Sequence, residues 1–387
     1  MICEPIPTLT SRDARQCVSR KNCCFAGGAR QCVSTWTAPG DSVSPNILVA
    51  LSGGVDSSVA ASLLLDRGFT CAAAHLALFE GAGEAESARL AARRLGIPLH
   101  VFDIAERFEQ EVITRFIESY LQGRTPNPCV DCNRHIKFGA LLDKATQLGY
   151  GAIATGHYAR LEFSNDRFLL RKALDPGKDQ SYVLYTLSQD QLSRIIFPLG
   201  DMTKEQVRAY ALSKNFPNAQ KSESQDICFI PDGNYAAFLE RHTGRSLSPG
   251  DFIDPEGRVL GRHRGTACYT LGQRKGLGLA LPQPGYVCKI NPDENTVTVG
   301  DEALLFGKIL HARDINLIAC DALDKPLRCK AKIRYRQAEQ WATAEQLDLD
   351  TLRVTFDEPQ RAITPGQAVV LYDEEWVVGG GTITHAL

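Results

Sequence analysis

Glycine and hydroxyl side chains cluster between an apolar run at residues 47–51 and a following helical pattern. The cluster reads Ser52-Gly53-Gly54-Val55-Asp56-Ser57-Ser58. Paired glycines let the backbone fold tightly around an anion, and N–H groups at a helix start converge on it. The lysine that follows the last glycine of a Walker loop is missing. The segment therefore predicts a phosphate-binding loop of another type, with a plain strand-to-helix turn as the alternative.

Two cysteines, Cys129 and Cys132, stand in a proline-rich segment, GRTPNPCVDCN, at residues 123–133. The prolines impose a rigid, non-helical approach, so Cys132 is expected where the next helix begins. There the helix dipole, Arg134 and Lys137 would lower the pKa of the thiol and favour a nucleophile. An inert buried cysteine, a metal pair and a redox pair remain alternatives.

A third cysteine, Cys228, lies between Ile227 and Phe229 in SQDICFIPDG. Free cysteine is among the most buried residue types. Taken alone, this residue is therefore predicted to be a core side chain.

Length and charge bound the function. The chain has 387 residues, which predicts two or three domains, and 43 basic against 45 acidic residues, which is not the overall balance of a nucleic-acid binder. Residues 241–275 and 308–340 are locally basic. Such stretches are either solvated surface or a footprint for a polyanion.

The cysteine distribution and hydropathy indicate the compartment. Five of the 13 cysteines fall in the first 32 residues, and the scattered, odd set argues against a disulfide framework. A reducing, cytoplasmic location without a membrane span is expected, because no apolar run approaches 18 residues. Residues 1–45 are predicted to be a disordered extension, with an import leader or a mis-set translation start as alternatives.

Strands and helices alternate from residue 46 onward, which predicts an α/β domain with a doubly wound parallel sheet. Helices are predicted at residues 105–121, 134–148 and 179–187, and a hairpin at 162–170. Short alternating runs later in the chain indicate a small β-rich central domain and a C-terminal β-barrel. In the strand predicted at 330–336, the four basic side chains share one face. The predicted domains are residues 46–244, 245–302 and 303–387.

From residue 46 the chain resembles the tRNA-specific 2-thiouridylase family of PP-loop ATP pyrophosphatases. The resemblance rests on seven ordered motifs: SGGVDSS, GRTPNPCVDCNRHIKFG, ATGHYAR, KDQSYVLYTL, FPLG, SQDICFIPDG and RYRQ. It implies ATP-dependent 2-thiolation of the wobble uridine of tRNA, with ATP and Mg²⁺ required.

The resemblance also implies roles for single residues. Cys132 would be the nucleophile, and Cys228 would carry a persulfide and form a transient disulfide with it. The residues implied to bind ATP are Ala50, Leu51, Ser52, Gly53, Gly54, Val55, Asp56, Ser57, Leu76 and Gly156. Those implied to meet the target base are Asn127, Pro128 and Cys129. Those implied to contact the tRNA anticodon arm are His157, Lys178, Asp179, Gln180, Arg334, Tyr335 and Gln367. A sulfur-carrier protein or a cysteine desulfurase relay would supply the sulfur.

Two departures from the family pattern matter. Cys129 stands where many members have an Asp suited to general acid–base work, which leaves that role unassigned. The segment after Leu78 is shorter than usual. The three cysteines also form a thiolate set for an iron–sulfur cluster, an alternative to the persulfide route that we expect.

Two other functions remain as alternatives. A PP-loop ligase for a small molecule would explain residues 52–58 but not the basic β-rich regions. An RNA-binding protein with a vestigial nucleotide fold would leave the loop and the cysteines without a use.

Overall fold

The computed structural model describes residues 46–79, 83–216, 218–219 and 227–387. The predicted extension over residues 1–45 lies outside this part. The helices are α1 (Val55–Asp66), α2 (Gly83–Leu95), α3 (Ala105–Phe108), α4 (Arg115–Leu121), α5 (Pro128–Asp131), α6 (Leu141–Gln147), α7 (Gln189–Leu192), α8 (Lys204–Ser213) and α9 (Tyr235–Thr243). Within the described residues, no helix has the length and apolar character needed to cross a membrane.

The strands fall into three sheets. They are β1 (Ile47–Ala50), β2 (Cys71–Ala77), β3 (Leu99–Asp103), β4 (Ala152–Ala154), β5 (Arg160–Ser164), β6 (Arg167–Arg171), β7 (Ile195–Ile196), β8 (Gly250–Ile253), β9 (Val259–His263), β10 (Tyr286–Asn291), β11 (Thr296–Gly300), β12 (Phe306–Leu317), β13 (Leu327–Lys332), β14 (Gln340–Gln346), β15 (Leu352–Arg361), β16 (Ala368–Asp373) and β17 (Trp376–Ala386).

The first sheet is parallel, in the order β3-β2-β1-β4-β7. Its central strand β1 is apolar on both faces because helices cover both sides of such a sheet. The strand order reverses at β1, which pairs with β2 on one side and β4 on the other. Ligands bind outside the carboxyl ends of strands at such a reversal. The predicted phosphate loop begins at this point.

The central sheet has the order β10-β11-β8-β9, and the C-terminal strands close into a barrel through the pairing of β12 with β17. The predicted fold class is confirmed: a doubly wound α/β domain, a small β-rich domain and a β-barrel. The predicted hairpin β5–β6 also forms, with its turn at Asn165 and Asp166 in positive φ. It extends the barrel sheet through a pairing of Arg171 with Trp376. The domain boundaries stay predictions.

Three local predictions were wrong. The helix predicted at 179–187 is only a 3₁₀ turn, Ser181–Leu184. The strand predicted at 330–336 ends at Lys332, so its four basic residues do not share one strand face. The helix predicted to start near Cys132 already begins at Pro128 and continues through a π-helical stretch, Cys132–Ala140. Proline is well suited to the first helical position, because that position needs no N–H donor.

Candidate active site

The phosphate loop folds back on itself through its hydroxyl groups. The backbone N–H of Ser52 donates to Ser57 Oγ at 3.3 Å. The hydroxyls of Ser57 and Ser58 both donate to the carbonyl of Gly54, at 3.1 and 3.0 Å. Gly54 is the N-cap residue of α1, and no side chain caps this helix start. The loop therefore turns the uncapped end of a twelve-residue helix toward the sheet edge.

Two glycines at the loop leave no room for a side chain. Gly53 has φ +76°, and a Cβ there would lie 2.5 Å from Ser87 Cβ. A Cβ on Gly156, which follows β4, would lie 2.8 Å from the backbone nitrogen of Ser57. The two backbone segments thus come close enough to form the wall of a narrow binding site.

A cavity of about 290 Å³ opens beside the loop. Predicted site residues that line it are Ala50, Leu51, Ser52, Asp56, Ser57, Leu76, Gly156, His157 and Gln180. Residues that the sequence did not indicate also line it: Ala74, His75, Leu78, Ile136, Lys137 and Thr155. The structure therefore brings together most of the predicted ATP-binding residues and two of the predicted tRNA contacts.

Asp56, in the first turn of α1, is held by two residues from elsewhere in the fold. Lys204 Nζ donates to both carboxylate oxygens, at 2.7 and 2.9 Å. The hydroxyl of Tyr158 donates to Asp56 Oδ1 at 2.8 Å. Sequence reasoning missed Lys204, because nothing local links α8 to the loop. Asn218, whose Nδ2 donates to the carbonyl of Gly53 at 2.8 Å, was missed for the same reason.

His157 is buried in the cavity wall. Its Nδ1 lies 2.8 Å from Thr155 Oγ1, and its ring packs against Phe138 and Phe197, which also contact each other. Burial lowers the pKa of His157 well below its usual value, with a further lowering by Lys137. The imidazole is therefore neutral at physiological pH.

Cys132 is a buried thiol, and the expectation of a lowered pKa is wrong. Burial raises the pKa of Cys132 to about 12, and the lowering effect of Lys137 is smaller. The helix begins one turn earlier than expected, and the side chain packs in a core cluster with residues such as Phe108 and Phe116. Desolvation disfavours the thiolate more than the nearby positive charges favour it.

Cys228 and Cys129 are both exposed, in contrast to the core position expected for Cys228 from its neighbours alone. Ile227 and Phe229, on either side of Cys228, pack against the core cluster that contains Cys132. Cys228 lies close enough to Cys132 for its charge to contribute to the raised pKa of that thiol. Among the described residues, no three His, Cys, Asp or Glu side chains are grouped so that they could hold a metal ion.

The predicted target-base residues Asn127 and Pro128 and the predicted tRNA contact Asp179 are not part of the cavity lining. Asn127 caps α5 by accepting from the N–H of Cys129 at 3.2 Å, and Pro128 is the first residue of that helix. Asp179 accepts hydrogen bonds from the N–H groups of Ala173 and Ser181, so its carboxylate stabilises a turn.

The barrel contributes the remaining predicted tRNA contacts. Arg334 Nη2 donates to the carbonyl of Ala362 at 2.8 Å, and burial lowers the pKa of Arg334. Tyr335 is exposed. Gln367 bonds to the carbonyls of Thr125 and Pro126.

Three family models match the chain. A tRNA methyl transferase HUP domain covers residues 45–232, a tRNA methyl transferase PRC-barrel domain covers 236–301, and an aminomethyltransferase β-barrel domain covers 307–383. Together they span all three sheets.

Curated relatives resemble the chain over most of its length. The tRNA-specific 2-thiouridylase MnmA of Carboxydothermus hydrogenoformans is 48% identical over 357 residues, 88% of this chain and 98% of its own. The protein of the same name from Moorella thermoacetica is 49% identical over 87% of this chain and 98% of its own. Among solved structures, a 4-thiouridine synthetase in complex with RNA and ATP is 18% identical with a TM-score of 0.34, over 52% of this chain and 50% of its own.

Proposed function

Because the chain belongs to the tRNA-specific 2-thiouridylase family, we propose that it replaces the C2 oxygen of the wobble uridine of tRNA with sulfur, at the expense of ATP. The observation that carries this proposal is the position of Cys132. Its thiol belongs to the helix that also contributes Ile136 and Lys137 to the wall of the phosphate-loop cavity. A methyl transfer, named in the descriptions of two family models, would leave Cys132 and Cys228 without a use.

The residues around the loop fit a nucleotide. The N-terminus of α1 and the loop N–H groups suit the phosphates, and Gly156 allows close backbone approach. Ala50 and Leu76 give the cavity an apolar side for the base. Both oxygens of Asp56 already bond to Lys204, so Mg²⁺ would arrive on the phosphates of ATP, whose charge it neutralises.

ATP activates the uracil carbonyl. The C2 oxygen attacks the α-phosphorus, pyrophosphate leaves at residues 52–57, and the adenylated oxygen becomes a good leaving group. His157 is neutral and buried in the cavity wall, so it adds no positive charge there. The wobble base must turn out of the anticodon loop so that its C2 atom can enter the cavity.

Sulfur then replaces the activated oxygen. A persulfide on Cys228 supplies its terminal sulfur to C2, AMP leaves, and Cys132 attacks the remaining disulfide to release thiouridine. In the alternative order, Cys132 first frees hydrosulfide, which attacks C2. Exposure of Cys228 suits loading by a sulfur-carrier protein or a desulfurase relay. The high pKa of Cys132 keeps the thiol protonated until the bound substrate favours its ionisation.

The test is a reconstituted reaction. Purified protein with unmodified tRNA, ATP, Mg²⁺ and a persulfide donor should form 2-thiouridine, measured by nucleoside mass spectrometry, and should release pyrophosphate only when tRNA is present. Cys132→Ser should retain tRNA-stimulated pyrophosphate release and lose thiouridine.

The rival functions predict other results. Pyrophosphate release that depends on a small-molecule acceptor and not on tRNA would favour the ligase. tRNA binding without pyrophosphate release would favour the RNA-binding protein. Either result would overturn the proposal.

A further inference from the structure

The barrel holds the segment that leads into the helix of Cys132. The loop between β15 and β16, residues 362–367, is called the barrel loop here. Gln367 Nε2 donates to the carbonyl of Thr125 at 2.8 Å and to that of Pro126 at 3.2 Å. The N–H of Thr125 donates in return to the carbonyl of Pro365 at 2.9 Å. Three hydrogen bonds thus fix Thr125 and Pro126 to the barrel loop, which lies about 240 positions later in the sequence.

The contact is close as well as hydrogen-bonded. Gly366 has φ +91°, and a Cβ there would lie 3.0 Å from the nitrogen, carbonyl carbon and oxygen of Thr125. A side chain at this position would be strained and would push the two backbones apart. The barrel loop and residues 125–126 therefore pack backbone to backbone.

The fixed residues lead directly into the helix start. Asn127 follows Pro126, and its Oδ1 accepts from the N–H of Cys129 at 3.2 Å. The carbonyl of Asn127 accepts from the N–H of Val130 at 3.0 Å, which closes the first turn. Cys132 lies at the next position after α5 on the same continuous helix. A shift of residues 125–126 would therefore shift the cap and the thiol with it.

The barrel loop is itself anchored. Arg334 Nη2 donates to the carbonyl of Ala362 at 2.8 Å and to Thr364 Oγ1 at 3.1 Å. The N–H of Ile383 in β17 donates to the carbonyl of Gln367 at 2.8 Å, and the N–H of Gly366 donates to the carbonyl of Ile383 at the same distance. The barrel therefore offers a rigid support.

We propose that Gln367 is a positioning residue, which orients the Cys132 helix for sulfur transfer by holding the carbonyls of Thr125 and Pro126. The effect of Gln367 on sulfur transfer rests on the proposed function, whereas its contact with Thr125 and Pro126 does not. It assigns Gln367 a role within the protein, where the family resemblance implies a contact with tRNA. The two roles predict different kinetics, because a positioning residue affects turnover and a contact residue affects tRNA affinity.

The test compares Gln367→Leu with the matched barrel variant Gln346→Leu. Gln346 is also half-buried, but its Oε1 accepts from the N–H of Leu323 within the barrel. For Gln367→Leu we expect kcat to fall about tenfold, with Kd for tRNA within twofold, because two carbonyls lose their donor. Site-resolved alkylation by iodoacetamide should rise about threefold at Cys132 and stay unchanged at the barrel residue Cys329. Gln346→Leu should leave kcat, the Kd for tRNA and the alkylation of Cys132 unchanged.

A rise in tRNA Kd with unchanged kcat at saturating tRNA would overturn the proposal, and so would unchanged kcat with unchanged Cys132 alkylation. Alkylation needs neither tRNA nor ATP, so it tests the positioning contact even in a protein that fails to thiolate tRNA. That failure would overturn only the proposed function. If Gln367→Leu does not fold, Gln367→Glu decides, since it keeps the shape and replaces the donor with a carboxylate.

Discussion

The buried amide of Asn133 donates a hydrogen bond to the carbonyl of Val183 at 3.0 Å. Asn133 directly follows Cys132, and Val183 lies in the 3₁₀ turn after Gln180, a residue of the cavity wall. One hydrogen bond therefore ties the helix of the predicted nucleophile to the segment beside the cavity. The two residues are 50 positions apart in sequence, so this link depends on the complete α/β fold.

Replacing Asn133 with leucine should destabilise the protein. The change leaves the carbonyl of Val183 without its donor at a buried site, which costs about 1–3 kcal/mol of unfolding free energy. Urea unfolding followed by circular dichroism measures it. The exposed Gln122→Leu is the control and should change stability by no more than about 0.5 kcal/mol. Equal effects of the two variants would contradict the prediction.

The ion pair between Asp56 and Lys204 predicts a second stability effect. The Lys204 side chain is only 10% exposed, so Lys204→Met leaves the Asp56 carboxylate without its cationic partner, although the Tyr158 hydroxyl still donates to it. We expect a loss of about 3 kcal/mol in unfolding free energy. The double variant Asp56→Asn with Lys204→Met should recover part of it, because no unpaired charge remains. Additive losses in urea unfolding would show that the pair is not coupled.

Asp56 itself should separate ATP chemistry from tRNA binding. Asp56→Ala removes the carboxylate that joins the loop to Lys204 and Tyr158, and both of these partners precede the barrel in the chain. We expect tRNA-stimulated pyrophosphate release to disappear, while tRNA affinity in filter binding stays within a few-fold. A parallel loss of both would place the carboxylate in tRNA binding as well.

Asp131, next to Cys132, predicts a pH dependence of stability. Burial raises the pKa of its carboxyl to about 6, with Asp314 and Glu111 raising it and Arg115 and Arg134 lowering it. A carboxyl with a raised pKa in the folded state stabilises the protein fully below its unfolded value of about 4. That contribution is lost as pH rises through the folded value of about 6.

Asp131→Asn should remove this dependence. We compare the unfolding free energy of the variant with that of the unmodified protein at each pH. This difference should shift by about 2 kcal/mol in favour of the variant between pH 4 and pH 8, because the folded and unfolded pKa values of Asp131 differ by about two units. Urea unfolding of both proteins at both pH values measures this shift. The contributions of the other titrating groups largely cancel because the two proteins share them. A variant whose relative stability is the same at both values, or falls toward pH 8, would contradict the assigned shift.

The phosphate loop and its neighbours could be predicted because their signals are local. The glycine pair, the hydroxyls and the preceding apolar run lie within a dozen residues, and the turn at Asn165–Asp166 is equally short-range. The capping box of Thr203 and Gln206 at the start of α8 is a signal of the same short range, since both partners lie in one helical turn.

What the sequence did not predict depends on distant contacts. The sequence predicts a lowered pKa for Cys132 because the charged residues near it are close in sequence. The burial that raises this pKa comes from helices that begin at Ala105 and Tyr235, far from Cys132 along the chain. The alternation predicted for residues 330–336 stops after Lys332, and Arg334 donates to Ala362 and Thr364 of the barrel loop instead of sharing a strand face with the lysines. Lys204 and Gln367 act across more than 140 positions, and no spacing rule reaches that far.

The two sulfur chemistries considered for the three cysteines make different demands on Cys129. An iron–sulfur route needs Cys129, Cys132 and Cys228 as ligands of one cluster, whereas the persulfide route needs only Cys132 and Cys228. The Cys129 side chain is exposed at the surface, but the protein atoms around its thiol exclude part of the water and raise its pKa, and Lys137 lowers this pKa by less. Its N–H donates to Asn127, which gives the residue a backbone role that any side chain allows.

Cys129→Ala should therefore retain measurable thiolation, whereas Cys132→Ala and Cys228→Ala should lose it. The alanine at position 129 keeps the helix cap intact and removes a group that the persulfide route does not use. Thiouridine formation by each variant is measured with a persulfide donor, together with the iron content of protein purified without oxygen. Stoichiometric iron in the unmodified protein, with activity that disappears in Cys129→Ala, would replace the persulfide route with the cluster. Without iron, loss of activity in Cys129→Ala would instead make Cys129 the missing proton-transfer group, which a Cys129→Asp variant should then restore.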